Sequence, residues 1–472
     1  MDGVRFRGLE GGEVLVDGGE VEAFVGGLAG RGVRASDPDF DDVRTVWNAM
    51  IDRRPALIAR CASSADVVRA VDFARERGLA VSVRGAGHNI AGLALADGAL
   101  LIDLSGMRAV EVDAENRIAR VEPGATLGDV DRATAAHGLV TPTGINSTTG
   151  IAGLTLGGGF GWLTRLHGLT VDNLAAVDIV TADGRTRRAS PTEEPELFWA
   201  IRGGGGNFGV VTSFEFELHD IEPELWCGLV VYGLEDADRV LRGYRDLVSG
   251  APDEQTVWVV LRQAPPLPFL PPERHGTEVV VLATVCACDP ERGRELSEPL
   301  AGFAEPLGVH LGPTRFADFQ MAFDPLLEPG ARNYWKSHDL LELSDAALAI
   351  AVESVRRLPD PQCEVFFAHL GGAMRRVPAD ATAYRDREVE WVVNMHGRWD
   401  DPTRDDACMG WARALFRDLT PHASGGVYVN FMTGDETGRV EDAYGENLGR
   451  LRELKRRYDP ANLWRVNQNI QP

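Results

Sequence analysis

Val83-Arg84-Gly85-Ala86-Gly87-His88-Asn89 decides the reading of this chain, together with the later run Gly150-Ile151-Ala152-Gly153-Leu154-Thr155-Leu156-Gly157-Gly158-Gly159-Phe160-Gly161. The first run is a loop leaving a strand. Its two glycines adopt φ > 0 without penalty and can turn successive N–H groups toward one point, an anion nest. Arg84 at its base either adds charge or braces the loop, and His88 stands at its tip. The glycines of the second run let backbone approach a flat ring and a diphosphate with no side chain in the way. A histidine among glycines, taken alone, reads as a tight turn. The two runs in this order point instead to a flavin lying on bare backbone beside one imidazole.

Other nucleotide sites fit less well. No Gly-Lys-Ser/Thr follows either run, so a Walker-type loop is excluded. A third cluster, Gly203-Gly204-Gly205-Gly206-Asn207-Phe208-Gly209, contains a formal Gly-x-Gly-x-x-Gly match. A strand pattern rather than a helix follows it, which removes the context a nicotinamide-binding Rossmann turn needs.

The bulk properties narrow the partners. At 472 residues, two domains are expected. The composition is globular, 44% hydrophobic and 25% charged. A net charge of −23 argues against a nucleic-acid or anionic-membrane partner, since both want a basic footprint. No apolar run approaches the roughly 18 residues of a membrane span, and the first residues lack the apolar core of a leader. The cysteines at 61, 227, 286, 288, 363 and 408 show no paired metal-ligand spacing, so no metal is expected. They read as free thiols in a reducing, cytoplasmic compartment.

Along the chain, residues 1–50 read as a glycine-rich N-terminal extension. Residues 51–220 alternate strand and helix. Residues 56–59, 79–83 and 100–104 look like buried strands, and 211–218 alternates as a further strand. Ser63 with Asp66, and Thr126 with Asp129, resemble capping boxes, and Gly78 stops the first helix. From 221 to 425 the texture changes to long strand-like runs (256–261, 278–286, 364–370) with helical stretches such as 345–357. This predicts a second unit with a sheet covered by helices on one face. Residues 426–472 return to the first texture, with 428–431 strand-like and a helix from about 441 that Pro460 ends. The fold class expected is α+β.

At this point the chain resembles the berberine-bridge-enzyme-like flavoproteins of the vanillyl-alcohol-oxidase superfamily. The residues that carry the likeness are Arg84-Gly-Ala-Gly-His88, the run from Gly150, Thr181-Ala-Asp-Gly184, Phe198 to Gly209, and Tyr458-Asp-Pro-Ala-Asn-Leu-Trp-Arg-Val-Asn-Gln-Asn-Ile470. The resemblance implies a PCMH-type FAD-binding domain of two α/β subdomains, completed by the tail, with a substrate domain between. It implies FAD bonded through the 8α methyl to His88. It also implies cofactor contacts from Arg84, Gly85, Ala86, Gly87, Asn89, Thr149, Gly150, Gly153, Leu154, Gly157, Gly158, Gly159, Gly161, Gly209, Val210, Val211, Asn430, Asn467 and Asn469. Many members carry a second attachment, a cysteine, where this chain has Asn146. A single covalent link is therefore expected, with Asn146 either bonding the ring edge or shaping its loop.

The activity implied is removal of a hydride from a C–H beside an alcohol or amine of a small sugar-like, amine or natural-product molecule, with dioxygen restoring the flavin. A dehydrogenase using another acceptor, or a flavin-holding protein without turnover, are the alternatives. Ile151 and Leu154 are the residues that would obstruct oxygen. For the base, Tyr428 matches the family's tyrosine near the flavin, acting as phenolate or orienting substrate. His369 sits on a strand-like run from which it could face the ring. Tyr334, Trp335, Tyr384, Trp391 and His396 are candidate pocket walls.

Overall fold

Strand-forming runs between residues 225 and 399 build one seven-stranded sheet, antiparallel at every pairing. Its order is Gly308–Thr314, Leu225–Gly233, Glu278–Cys286, Gln255–Gln263, Glu364–His369, Trp391–Trp399 and Arg332–Leu340. The structure, a computed structural model, describes residues 3–472, the side chain of Thr437 excepted. Side chains alternate along a strand, so this sheet has two unlike faces. Val365, Phe367, Val393 and Met395 pack on Val240, Ala351 and Leu415 of the helices Ala237–Val248, Asp345–Val355 and Asp405–Leu419. Phe366, Ala368 and Val392 point the other way, against Phe160, Trp162 and Tyr428. The helices cover one face, as expected for the α+β class, and the opposite face roofs a cavity.

Beneath it lie two smaller sheets. The four-stranded one runs Arg31–Arg34, Leu57–Arg60, Leu100–Asp103, Val81–Arg84, with its last two pairings parallel. The five-stranded one, antiparallel throughout, runs Thr186–Ala189, Leu174–Val180, Val210–Glu217, Ile118–Val121, Val110–Asp113. Helix Ser64–Arg77 starts where Ser63 accepts from the Asp66 N–H and ends at Gly78, whose φ of 62° suits glycine. The reciprocal half of that expected capping box is missing. The Asp66 carboxylate instead accepts from the N–H groups of Ala29, Gly30 and Ala62, and so ties the N-terminal segment to the helix. Thr126 and Asp129 do form the full box. The N-terminal segment is woven in: Arg31–Arg34 is an edge strand of the first sheet, and Trp47 reaches the cavity.

The tail closes the lower half. Helix Leu448–Tyr458 buries Leu448, Leu451, Leu454 and Tyr458 in the core that holds Phe198, Phe208 and Phe214. Residues 428–431, expected as a strand, form the short 3₁₀ turn Val429–Phe431 instead. The turn lets Tyr428, Asn430 and Phe431 all face the cavity, which strict alternation would forbid. No helix among the described residues is long and apolar enough to cross a membrane.

Candidate active site

A cavity of about 1130 Å³ runs between the two lower sheets and the bare face of the upper one. The loop after strand Val81–Arg84 brings Gly85, Ala86, Gly87, His88 and Asn89 to its wall, and the second glycine run brings Asn146, Thr149, Gly150, Gly153, Leu154 and Gly157. Gly209, Val210, Val211, Asn430 and Asn467 also line it. Gly157 is required by Asn430: a Cβ there would fall 2.2 Å from the Asn430 Oδ1.

The His88 ring stacks on Trp47 with centroids 5.1 Å apart. Its Nε2 lies 2.9 Å from the Thr148 Oγ1 and its Nδ1 3.4 Å from the Thr149 Oγ1. Burial pushes the imidazole down to about 3, so the ring is neutral and keeps a lone pair on one nitrogen. Asn146 shapes its loop, because its side-chain oxygen accepts from both the N–H and the hydroxyl of Thr148.

The upper sheet contributes a charged cluster in an aromatic setting. Arg262, Glu364 and His396 occupy neighbouring strands and face the cavity beside Trp335 and Phe366. Arg262 donates to the Glu364 carboxylate at 2.7 Å, and the other carboxylate oxygen lies 3.3 Å from the His396 Nδ1. Burial works against the Glu364 carboxylate, but Arg262 and His396 outweigh it and hold its pKa below the ordinary range. Burial also lowers the His396 pKa, against the pull of Glu364. A carboxylate only accepts, so the His396 Nδ1 carries the proton. Nε2, which has no partner, is left as a base. Tyr428 lies below, where its hydroxyl accepts from the Gly159 N–H at 3.1 Å and the Asn430 Nδ2 at 2.9 Å. Burial pushes its phenol up to about 12. It therefore stands protonated near neutrality, with its own proton free to be donated.

Residues 55–190 match the family described as FAD binding domain, and residues 427–471 the family described as berberine and berberine like. The FAD-linked oxidoreductase YgaK of Bacillus subtilis (strain 168) is 31% identical over 455 residues, 94% of this chain and 97% of the relative. The chain belongs to the berberine-bridge-enzyme-like FAD-linked oxidoreductases. The xylooligosaccharide oxidase of Thermothelomyces thermophilus is 28% identical, covering 90% of this chain and 89% of that one. Among solved structures, 6-hydroxy-D-nicotine oxidase from Arthrobacter nicotinovorans superposes with a TM-score of 0.85 at 27% identity, over 94% of this chain and 98% of that chain. The fold is thus the PCMH-type fold of these flavoenzymes.

The cavity of this family member suits FAD on its own terms. Gly153 and Gly206 have nothing within 4 Å of where a Cβ would stand, so bare backbone faces the open space. At the end away from the upper sheet, the Ser82 Oγ, Tyr444 hydroxyl, Trp464 Nε1, Asn467 Oδ1 and Gln468 Nε2 line the wall without partners. Buried polar atoms need partners, and a dinucleotide offers them.

Several expected site residues fall elsewhere. Arg84 is off the cavity: its guanidinium forms a two-pronged pair with Asp103 and donates to the Val43 and Thr45 carbonyls, so it braces the His88 loop. His369 faces the helix-covered side. Along Glu364–His369, residues 364, 366 and 368 look into the cavity, and His369 turns to Arg165 (3.2 Å) and stacks on Trp391. Gly158, Gly159 and Gly161 do not line the cavity. They allow close packing, since a Cβ would meet the Tyr384 ring, the Thr170 hydroxyl and the Thr143 carbonyl respectively. Asn469 is likewise off the wall, as are Tyr334, Tyr384 and Trp391, whereas Trp335 and His396 are on it. Ile151 is wholly buried off the cavity and Leu154 lines it.

Trp47, Arg262 and Glu364 were not singled out from sequence. A glutamate opening an otherwise apolar strand run was the one available cue for Glu364.

Proposed function

We propose that the chain oxidises an alcohol or amine borne on an apolar, aromatic skeleton, with the flavin bonded to His88 alone and dioxygen as the final acceptor. The observation that carries this reading is the Glu364–His396 pair in the wall of the flavin cavity, with the buried His396 Nε2 left without a protein partner. When bound, FAD supplies the two-electron acceptor. His396 Nε2 takes the proton of the substrate hydroxyl or amine as the C–H bond breaks. Glu364 holds the tautomer and stabilises the imidazolium that forms, as in other carboxylate–histidine pairs. Arg262 keeps Glu364 ionised, and the Tyr428 O–H is placed to donate to the substrate's oxygen or nitrogen.

The walls favour the apolar skeleton. Trp162, Trp258, Phe319, Phe323, Phe366 and the loop Pro265–Pro268 surround the substrate end, and its few charged groups already pair with one another. A sugar would leave most of its hydroxyls without partners there. Of the two oxidases named above, the one for a nicotine fits such walls better than the one for xylooligosaccharides. Their names as oxidases also favour dioxygen as acceptor. Asn146 supports the single link, since its amide is committed to the loop. Cys227 also lines the cavity, but among Trp258 and Phe319, and burial pushes its thiol up and keeps it protonated. The net charge of −23 favours a small molecule over a nucleic acid or membrane as partner.

The test is anaerobic bleaching of the purified holoenzyme by cinnamyl alcohol, 6-hydroxynicotine and xylobiose, followed by readmission of air. An aromatic compound is expected to bleach the flavin fastest, with colour and peroxide returning in air. Faster bleaching by xylobiose overturns the substrate reading. Flavin that stays reduced in air overturns the acceptor.

A further inference from the structure

Strands Arg332–Leu340 and Trp391–Trp399 lie side by side, and their cavity-facing side carries Trp335, Ser337 and Asp339 opposite His396, Asn394 and Val392. Ser337, Asp339, Asn394 and His396 are each no more than 3% exposed. The Trp335 Nε1, the Ser337 Oγ, both amide atoms of Asn394, both carboxyl oxygens of Asp339 and the His396 Nε2 all lack a protein partner. On the other side of the same strand Tyr334 bonds Asp435, Lys336 bonds Thr433 and Asp435, and the His338 Nε2 meets the Phe416 carbonyl, while the His338 Nδ1 has no partner. The neighbours on the orphaned side, Phe366, Ala368 and Val392, are apolar and can offer nothing.

A continuous strip of buried donors and acceptors with no protein partners is where internal water resides. The spacing agrees. Alternate residues on a strand stand about 6.6 Å apart, too far for a direct hydrogen bond and close to two bonds of about 2.8 Å through one oxygen. The strip runs inward from the substrate end and finishes at two carboxyls. A Cβ on Gly426 would stand 2.8 Å from the Asp386 Oδ2 and 3.1 Å from the Asp339 Oδ2, so both acids face the same bare backbone. Asp386 pairs with Arg385 at 2.8 Å, and their side chains are 11% and 34% exposed, which opens the far end to solvent.

We propose that this strip holds a file of water that carries the substrate's proton from His396, past Ser337 and Asn394, to the Asp339–Asp386 pair and out to solvent. The proposal rests on the reading of His396 as the base. The substrate O–H or N–H breaks and an N–H forms at Nε2. Once product has moved, that proton passes to the first water, each member of the file gaining one proton and losing one. One proton reaches solvent, no electron travels with it, and His396 returns to its neutral form. Burial, with the charge of Asp386 added, pushes the Asp339 carboxyl up to about 8, so it enters the file protonated and can both give and take.

Two measurements test it. A high-resolution crystal structure of the holoenzyme is expected to show ordered water bridging Trp335, Ser337, Asn394 and Asp339. A dry strip, or orphans paired by side-chain rotation, overturns the proposal. Stopped-flow turnover with cinnamyl alcohol, or the panel compound that outpaces it, is then compared in Asn394→Leu, Ser337→Ala and Asp339→Asn at unchanged flavin loading. Tenfold or greater loss of kcat is expected at unchanged KM, with recovery by millimolar imidazole as a mobile proton carrier and retention of rate in Ser337→Thr. Rates within twofold of wild type overturn the file, as does loss that imidazole cannot restore. If His396→Gln bleaches as fast as wild type, the base reading itself has failed. Should Asn394→Leu not load flavin, Ser337→Ala decides.

Discussion

The His396 Nδ1 lies 3.3 Å from the Glu364 Oε1 across a register pair of adjacent antiparallel strands. A rigid sheet sets that distance, so the imidazole is oriented before substrate arrives. This is the pre-organisation a base needs if its Nε2 is to meet a substrate proton.

His396→Gln is expected to lower the rate of flavin reduction roughly 10²–10⁴-fold, the usual contribution of a positioned base, with little change in substrate affinity. Glu364→Gln should give a smaller loss and move the pH profile. Glu364 raises the His396 pKa. Removing its charge therefore lowers that pKa, and the acid limb of the profile shifts to lower pH while the plateau rate falls. An unmoved acid limb would show that another group governs it.

His88→Ala is expected to bind flavin reversibly. Acid precipitation of wild type should leave a yellow pellet, and the variant a colourless one. A colourless wild-type pellet would end the covalent reading. A yellow pellet from His88→Ala would show that a second residue holds the ring.

Gly157→Ala forces a Cβ to within 2.2 Å of the Asn430 Oδ1. Asn430 must then move from the Leu154 carbonyl and the Tyr428 hydroxyl to which it donates. Each of these bonds is worth about 0.5–1.5 kcal/mol of stability, so the denaturant midpoint should fall, and kcat should fall several-fold with flavin still bound because Tyr428 loses a partner. Stopped-flow reduction, with absorbance confirming the loading, checks this.

Lys455 and Asp459 form a fully buried pair at 2.6 Å, and the ammonium also donates to the Asn207 and Trp464 carbonyls. It thereby fastens the tail helix to the third glycine cluster. Removing one charge strands the other, which costs about 3–5 kcal/mol. Lys455→Met should lower the denaturant midpoint clearly, and adding Asp459→Leu should recover part of the loss. A single variant as stable as wild type would show that the pair is not holding the tail.

The backbone features of the site were legible in the sequence because they are local. Gly78, Gly87 and the Thr126–Asp129 box answer demands made within a few residues, and the structure gives both glycines positive φ and the box both its hydrogen bonds, whereas Gly85, expected to share that conformation, keeps a negative φ. The side chains that do chemistry were harder to read. His369 and Glu364 share one strand, and a period-2 pattern does not say which parity faces the cavity. The expectation took the wrong parity at 369 and passed over 364. Arg84 was ambiguous for a related reason: its partner Asp103 lies opposite it on a neighbouring parallel strand, a pairing visible only once the register is known.

The sequence by itself determined that this chain is a flavoprotein of a known fold class, because glycine runs, an isolated loop histidine and a tail motif are constraints on backbone path. Tertiary structure alone decided which groups meet. Sheet register sets Glu364 beside His396 and Arg262 beside Glu364, and lines Ser337, Asn394 and Asp339 into one buried strip. Contacts between strands depend on alignments between distant segments, and no local propensity specifies them.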